Sequence, residues 1–196
     1  MHPITACSIV AIAVVVWKAA QLLAARLDHA RFLGDVRGLL LQGRLNDAAA
    51  SCRGTTAPVA ALVSAALARH GRPRDEIAAA MEVVARHEIG RLQRGLGALA
   101  TIVNLAPLIG FFGTVWGMIV AFDAIYERGL GDPALLAGGI AQALTTTAWG
   151  LAVAFVALPA HNIVAGRIAA ESRRLELAAS VVLETFSEME RLGTKA

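Results

Sequence analysis

The sequence has few aromatic and charged residues for its length. Of its 196 residues, 5% are aromatic and 17% are charged, whereas 57% are hydrophobic and the mean hydropathy is +0.60. A soluble domain of ordinary composition carries about 25% charged residues. The composition therefore excludes an ordinary soluble domain and indicates a polytopic membrane protein.

Cysteine is nearly absent, and Cys7 and Cys52 indicate no disulfide framework. The sequence also shows no metal-ligand spacing, no nucleophile with a matching base and no phosphate-binding loop. We therefore expect no enzyme, no metal and no cofactor. The net charge of +3 requires no nucleic-acid partner, because the arginines alternate with acidic residues at helical spacing.

Two long runs without charge are present instead, at 95–122 and 133–166. Each exceeds the roughly 20 residues of helix that cross a bilayer core. A third apolar segment, 4–25, contains Lys18. A cleaved signal peptide is the alternative for this segment, and it is disfavoured because no basic residue precedes the apolar run. The predicted fold is an all-α membrane protein with three transmembrane helices.

The arginines predict the orientation of these spans. Eleven arginines lie within 26–94, and four arginines and Lys195 follow the last uncharged run. By contrast, the short link between the two uncharged runs, 123–133, has Arg128 against three acidic residues. Basic residues near membrane ends are retained in the cytoplasm. The N-terminus is therefore predicted to be periplasmic and the C-terminus cytoplasmic. The predicted organisation is a first span at 4–25, a cytoplasmic helical segment at 26–94, a second span at 95–122, a short periplasmic link at 123–133, a third span at 134–166 and a cytoplasmic helix at 167–196.

Amphipathic spacing predicts the helices outside the spans. Apolar residues recur at three and four positions over 28–50, and a second helix is predicted over 59–68. From Arg74 the periodic positions include Met81, Glu88 and Leu92, which predicts one helix from 74 to about 122. The third span is expected to continue as a helix to about residue 192.

Small, kinking and polar residues interrupt the two later spans. Small residues allow close helix contact in lipid, and a proline removes a backbone donor and predicts a kink. A threonine can bond to the preceding turn, but Gln142 cannot satisfy its carboxamide so easily, so the polar positions of the third span are predicted to face protein or water. The packing and kink residues are Pro107, Gly110, Gly113, Gly117, Gly139, Ala143, Gly150 and Pro159, and the polar residues are Thr114, Gln142, Thr145, Thr146 and Thr147.

Two stretches carry a family resemblance. "LATIVNLAPLIGFFGTVWGMIVAF" and "GIAQALTTTAWGLAVAFVALPAHN" closely resemble the signature region of the ExbB and TolQ proteins, a membrane-channel family that also includes MotA, and the match is dense over 99–162. The resemblance implies a bacterial inner-membrane subunit that forms a ring, typically of five copies, around a dimer of a single-span partner similar to ExbD or TolR.

The resemblance also implies a function. Such rings couple the flow of protons, or of sodium, to movement of the partner, which acts on a TonB- or TolA-like protein in TonB-dependent uptake or envelope maintenance. The threonines that match Thr114 and Thr147 line the ring. Gln142, Thr145 and Thr146 are expected to border the same pore, and the surroundings of the ring are membrane lipid.

One residue departs from the family pattern. ExbB and TolQ proteins usually carry glutamate at the position of Gln142, and a glutamine neither takes up nor releases a proton. Three accounts are open: an aspartate of the partner suffices as ion carrier, the conducted ion is sodium, or the ring is disabled for transport. The first account is favoured. The last corresponds to an alternative function, a non-conducting membrane scaffold.

Overall fold

The structure is a computed structural model that describes residues 29–129 and 133–193. All regular structure in these two ranges is α-helical. The predicted first span, 4–25, lies outside the described residues. The helices are α1 His29–Leu41, α2 Leu45–Arg53, α3 Pro58–Leu67, α4 Arg74–Gln93, α5 Leu96–Arg128 and α6 Pro133–Arg191.

The described residues divide into two compact units, and α6 contributes to both. The first unit comprises Gly95–Ala165, which includes α5 and the beginning of α6. The second comprises 29–94 and 166–193, which includes α1 to α4 and the end of α6. The second unit has a core of large apolar side chains, as the amphipathic spacing predicts. Its most deeply buried members include Val36, Leu40, Leu62, Val63, Met81, Leu175 and Met189.

A glycine divides one of the helices predicted in the second unit. The single helix predicted over 28–50 is in fact α1 and α2, because the chain turns at Gly43, where φ is 72°. A positive φ is readily adopted by glycine and rarely by other residues. By contrast, α3 lies within one residue of its predicted range at each end.

A further break corrects the prediction of one helix from 74 to about 122. Helix α4 ends at Gln93 and α5 begins at Leu96, since Gly95 has a left-handed φ of 82°. Helix α5 then continues to Arg128, so the first residues of the predicted link at 123–133 are helical. The bends predicted at Pro107 and Pro159 stay predictions, and α-helix is assigned through both positions.

Two helical stretches of the described chain are long and apolar enough to cross a membrane, Arg74–Glu127 and Leu136–Arg191. In each, 17% of the most apolar window is buried inside the chain. Large side chains such as Phe111, Trp116 and Phe155 are exposed there. The helix α6 reaches Arg191, close to the predicted end near 192, and where the membrane begins and ends along it stays a prediction.

Candidate functional site

Helices α5 and α6 contact each other within the first unit along a row of small residues, which we call the seam. Its members recur every three or four positions on each helix, the spacing that places residues on one helix face. The seam consists of Ala106, Gly110, Gly113, Thr114, Gly117 and Ala121 on α5, and of Gly139, Ala143, Thr146, Thr147 and Gly150 on α6.

At the end of the seam formed by Ala106 and Gly150, the two backbones touch. A Cβ atom built on Gly150 would lie 2.6 Å from the carbonyl oxygen of Ala106 and 3.0 Å from the Cα of Gly110. A Cβ on Gly110 would lie 3.0 Å from the Cα of Thr147. Because the obstructing atoms belong to the backbone, no rotation of a side chain can make room.

Towards the beginning of α6, the seam closes on side chains instead. A Cβ on Gly117 would lie 2.7 Å from the Cβ of Ala143, and one on Gly139 would lie 2.8 Å from the Cβ of Ala121. Lipid provides little hydrophobic drive for helix association, so van der Waals contact between small residues is what holds such helices together. The seam therefore explains how α5 and α6 stay paired.

Two threonine hydroxyls lie inside the seam. The Oγ1 atoms of Thr114 and Thr147 are in hydrogen-bond contact, and Thr147 Oγ1 donates to the carbonyl oxygen of Gly110 at 2.9 Å. A hydroxyl has one proton and two lone pairs. Thr114 can donate to the carbonyl oxygen of Gly110 at 3.3 Å or of Ala143 at 3.5 Å, and either hydroxyl can be the donor between the two threonines. In every arrangement the two half-buried hydroxyls have two protons and four lone pairs, so lone pairs remain as acceptors.

The other two threonines bond within their own helix. Thr146 donates to the carbonyl of Ala143 at 2.7 Å, and its Oγ1 lies against Gly113. Thr145 donates to the carbonyl of Ala141 at 2.7 Å and is exposed. Each of these two hydroxyls therefore donates its proton to a carbonyl oxygen of α6.

Gln142 lies outside the seam. Its side chain is exposed and makes no hydrogen bond to any residue that the structure describes. At 100° per residue it is about 140° round α6 from Thr147. The structure thus brings Thr114, Thr146 and Thr147 together and leaves Gln142 and Thr145 apart from them.

The seam contains no titratable side chain. It can offer hydroxyl and carbonyl oxygens to an ion, but it cannot exchange a proton. In 29–129 and 133–193 no group of three or more potential metal ligands occurs. The thiol of Cys52 is buried, and this burial raises its pKa, which makes it a poor nucleophile at neutral pH.

Two buried carboxylates were not among the sequence-derived site residues. Glu88 on α4 and Glu171 on α6 are buried in the second unit, where arginines one turn further along face them. The Arg174 guanidinium lies 3.4 Å from Glu171, and that of Arg91 lies 2.7 Å from the Oε2 of Glu88. The second contact is an ion pair whose angles do not fit a hydrogen bond.

The positions of Glu88 and Glu171 in the helical pattern could have identified both buried carboxylates. Glu88 follows Met81 by seven residues and precedes the buried Leu92 by four, and Glu171 lies between the buried Ile168 and Leu175. Both are charged residues at positions where the helical period requires apolar ones.

Comparison with known proteins places the seam within a family match. The model of the MotA/TolQ/ExbB proton channel family matches residues 55–177, which include all five polar residues of the spans. The chain is 36% identical over 169 residues to the biopolymer transport protein ExbB of Neisseria meningitidis serogroup A, with 79% of this chain and 76% of that protein covered.

Other relatives are matched over a smaller part of their length. A putative biopolymer transport protein ExbB homolog of Methanothermobacter thermautotrophicus is 42% identical over 120 residues, which cover 61% of this chain and 42% of that protein. The biopolymer transport protein ExbB of Pseudomonas putida is 36% identical over 105 residues, which cover 53% of this chain and 32% of that protein. The alignments thus span less than half of these two relatives.

Proposed function

The chain belongs to the MotA/TolQ/ExbB proton channel family, and on that basis we propose that it is the channel subunit of an ion-driven energy transducer in the bacterial inner membrane. It would couple a proton gradient, or a sodium gradient, to an ExbD- or TolR-like partner with a single span. Through a TonB- or TolA-like protein, the output would serve uptake or envelope maintenance.

The observation that carries this proposal is the oxygen cluster of the seam. Thr114, Thr147 and the Gly110 carbonyl form one connected group between uncharged stretches of two helices, and acceptor lone pairs of the two hydroxyls are left over. Rings of oxygen atoms are the lining that channels use to replace part of an ion's hydration shell. In a ring of typically five copies, each seam would contribute one such group, so we propose that Thr114 and Thr147 border the pore.

The same geometry supports a role for the partner in carrying the ion. The seam has no titratable group, and Gln142 replaces the glutamate that the family resemblance leads one to expect. Proton transfer needs a group that titrates, and a carboxylate inside a membrane is the usual one. We therefore place the carrier on an intramembrane aspartate of the single-span partner, with Gln142, Thr145 and Thr146 as polar neighbours of the path.

The membrane arrangement is part of the proposal. Three spans, a periplasmic N-terminus and a cytoplasmic C-terminus follow from the apolar runs and from the arginines near their ends. One charge that crosses 100 mV supplies about 2.3 kcal/mol. Mechanical output therefore requires several ions per cycle or a small step for each ion.

The test is ion flux into liposomes that contain the full chain and its single-span partner, under a proton gradient and separately under a sodium gradient. Thr147→Val removes the hydroxyl that contacts both the Gly110 carbonyl and Thr114, so the flux should fall at least about tenfold, the loss expected for one preorganised polar group. Thr101→Val is the matched control, because Thr101 is exposed and its hydroxyl bonds only to the Gly97 carbonyl of its own helix. Equal flux in Thr147→Val and Thr101→Val would overturn the role of the seam.

A second candidate function is a non-conducting scaffold ring, which the glutamine at position 142 favours. A Gln142→Glu variant separates the two functions. If the unmodified chain already conducts, the scaffold is excluded and the carrier lies on the partner. If flux appears only with glutamate while the complex assembles in both cases, the chain is a scaffold.

A further inference from the structure

The exposed charges of the second unit are unevenly distributed along its helices. In 87–94 and 166–175 the basic side chains are exposed or half-exposed, and the acidic ones there, Glu88 and Glu171, are buried. Further along α6, over 176–190, the charged residues are all acidic. We call the arginines of 87–94 and 166–175 the basic belt. They are Arg91, Arg94, Arg167, Arg173 and Arg174.

The belt lies at one end of the second unit. A groove of about 510 Å³ between α4 and α6 is lined by Gly90 and Gln93 of α4 and by Ser172 of α6. The last turn of α4 is therefore beside the part of α6 that carries Arg173 and Arg174.

The belt also adjoins both uncharged runs in the chain. Arg94 immediately precedes the run that begins at Gly95, and Arg167 immediately follows the run that ends at Gly166. If these runs cross the membrane as proposed above, an assumption on which this inference rests, the belt lies at the cytoplasmic headgroups. Arginine is suited to that position, since its planar guanidinium binds phosphate oxygens in a bidentate manner.

The buried glutamates give two of the arginines a fixed place. Glu88 holds Arg91 and Glu171 holds Arg174, while the two arginine side chains stay 42% and 58% exposed. Arg94, Arg167 and Arg173 have no ion-pair partner among the residues that the structure describes. The belt thus presents five guanidinium groups outward. Glu88 and Glu171 point into the protein, and the first exposed acidic residue after the belt is Glu176, two residues beyond Arg174.

We propose that the basic belt binds the phosphate of anionic phospholipids in the cytoplasmic leaflet. Each basic residue near such a surface contributes about 1 kcal/mol to the attraction, which is about a fivefold change in affinity. The belt would select phosphatidylglycerol over a zwitterionic lipid and would hold the second unit at the membrane surface.

The test is binding of short-chain phosphatidylglycerol, labelled on its acyl chain, to the full-length protein in neutral detergent, read as fluorescence anisotropy. Changing Arg94, Arg167 and Arg173 together to glutamine removes three belt charges without leaving Glu88 or Glu171 unpaired. Affinity should fall at least about fivefold, the contribution of one basic residue, and the salt dependence of binding should weaken. Short-chain phosphatidylcholine should compete poorly in the unmodified protein.

The matched control changes Arg69, Arg72 and Arg74 to glutamine. It removes the same charge at the other end of α4, which is 20 residues or about 30 Å long, beyond the screening length of about 10 Å at 0.1 M salt. The control should bind lipid like the unmodified protein. An equal loss in both triple variants, or no loss in the belt variant, would overturn the proposal.

Inorganic phosphate alone distinguishes a lipid site from a general phosphate site. Millimolar phosphate should displace little of the labelled lipid, and displacement as effective as that by unlabelled phosphatidylglycerol would overturn the lipid assignment. Lipid binding in detergent requires no ion flux. The flux assay therefore tests the proposed channel function, and the lipid-binding assay separately tests the proposed lipid site.

Discussion

The two units of the chain are packed on opposite principles. In the first, α5 and α6 meet through glycine, alanine and threonine along the seam, and many large side chains, such as Phe111 and Trp116, face outward. A small apolar cluster around Leu99 and Ile102 is also buried there. In the second, Leu40, Met81 and Leu175 are buried, and the charged residues are mostly on the surface. The first unit is held together by close approach of backbones and the second by burial of apolar area.

The difference follows from the solvent that each unit is built for. Water drives large apolar side chains into a core, whereas lipid is as apolar as leucine and drives nothing inward. Helix association in lipid therefore depends on how closely two helices can pack, and glycine permits the closest contact. The predictions below test this contrast at single positions.

Removal of a core leucine should have the largest effect. Leu40→Ala in the second unit leaves a cavity at a fully buried position and should lower the free energy of unfolding by about 4 kcal/mol. Leu108→Ala in the first unit should cost about 0.5 kcal/mol, because Leu108 is 62% exposed. Circular dichroism during titration of the full chain with SDS in neutral detergent measures both. Similar losses in the two variants would contradict the contrast.

Addition of one methyl group to the seam should have the next largest effect. Gly150→Ala places a Cβ 2.6 Å from a backbone carbonyl that cannot move without shifting α5, and this should cost about 3 kcal/mol. The same SDS titration applies.

The control for the seam is in the same helix. Gly138→Ala meets nothing within 4 Å and should be neutral or slightly stabilising, because alanine favours helix by up to about 1 kcal/mol relative to glycine. Should Gly150→Ala be as stable as Gly138→Ala, the seam is not what pairs the helices.

Replacement of a buried charge should have the smallest effect. Glu88→Leu puts an apolar side chain at a core position and releases the half-exposed Arg91 to solvent, so stability should change by less than about 1 kcal/mol in either direction. Glu88→Ala, which leaves a cavity, is the comparison and should be less stable than the leucine variant. A loss of several kcal/mol in Glu88→Leu would show that the ion pair itself stabilises the second unit.

The sequence predicts the helical class and several of the helix ends, because amphipathic spacing and proline or glycine at the ends are local signals. The ends of α3 and of α6 illustrate this. The breaks at Gly43 and Gly95 were not predicted, since a glycine that adopts a positive φ cannot be told from one inside a helix by composition. The amphipathic pattern continued across both.

The candidate site is less accessible from the sequence. Glycine spacing identifies one face of α5 and one of α6, but the register between them depends on the fold. That Thr114 contacts Thr147, 33 residues away, is a result of that register. The separation of Gln142 from Thr147 does follow from helical geometry alone. Whether these residues line a pore stays a prediction.

The seam also limits which mutations the chain can accumulate. Every amino acid other than glycine is larger, so any amino-acid substitution at Gly110 or Gly150 is expected to disturb the helix pair and be removed by selection. An exposed position such as Gln142, about 140° round α6 from Thr147, is under a weaker limit, because a different side chain has room there. A lineage can therefore exchange glutamate and glutamine there while the architecture is inherited unchanged.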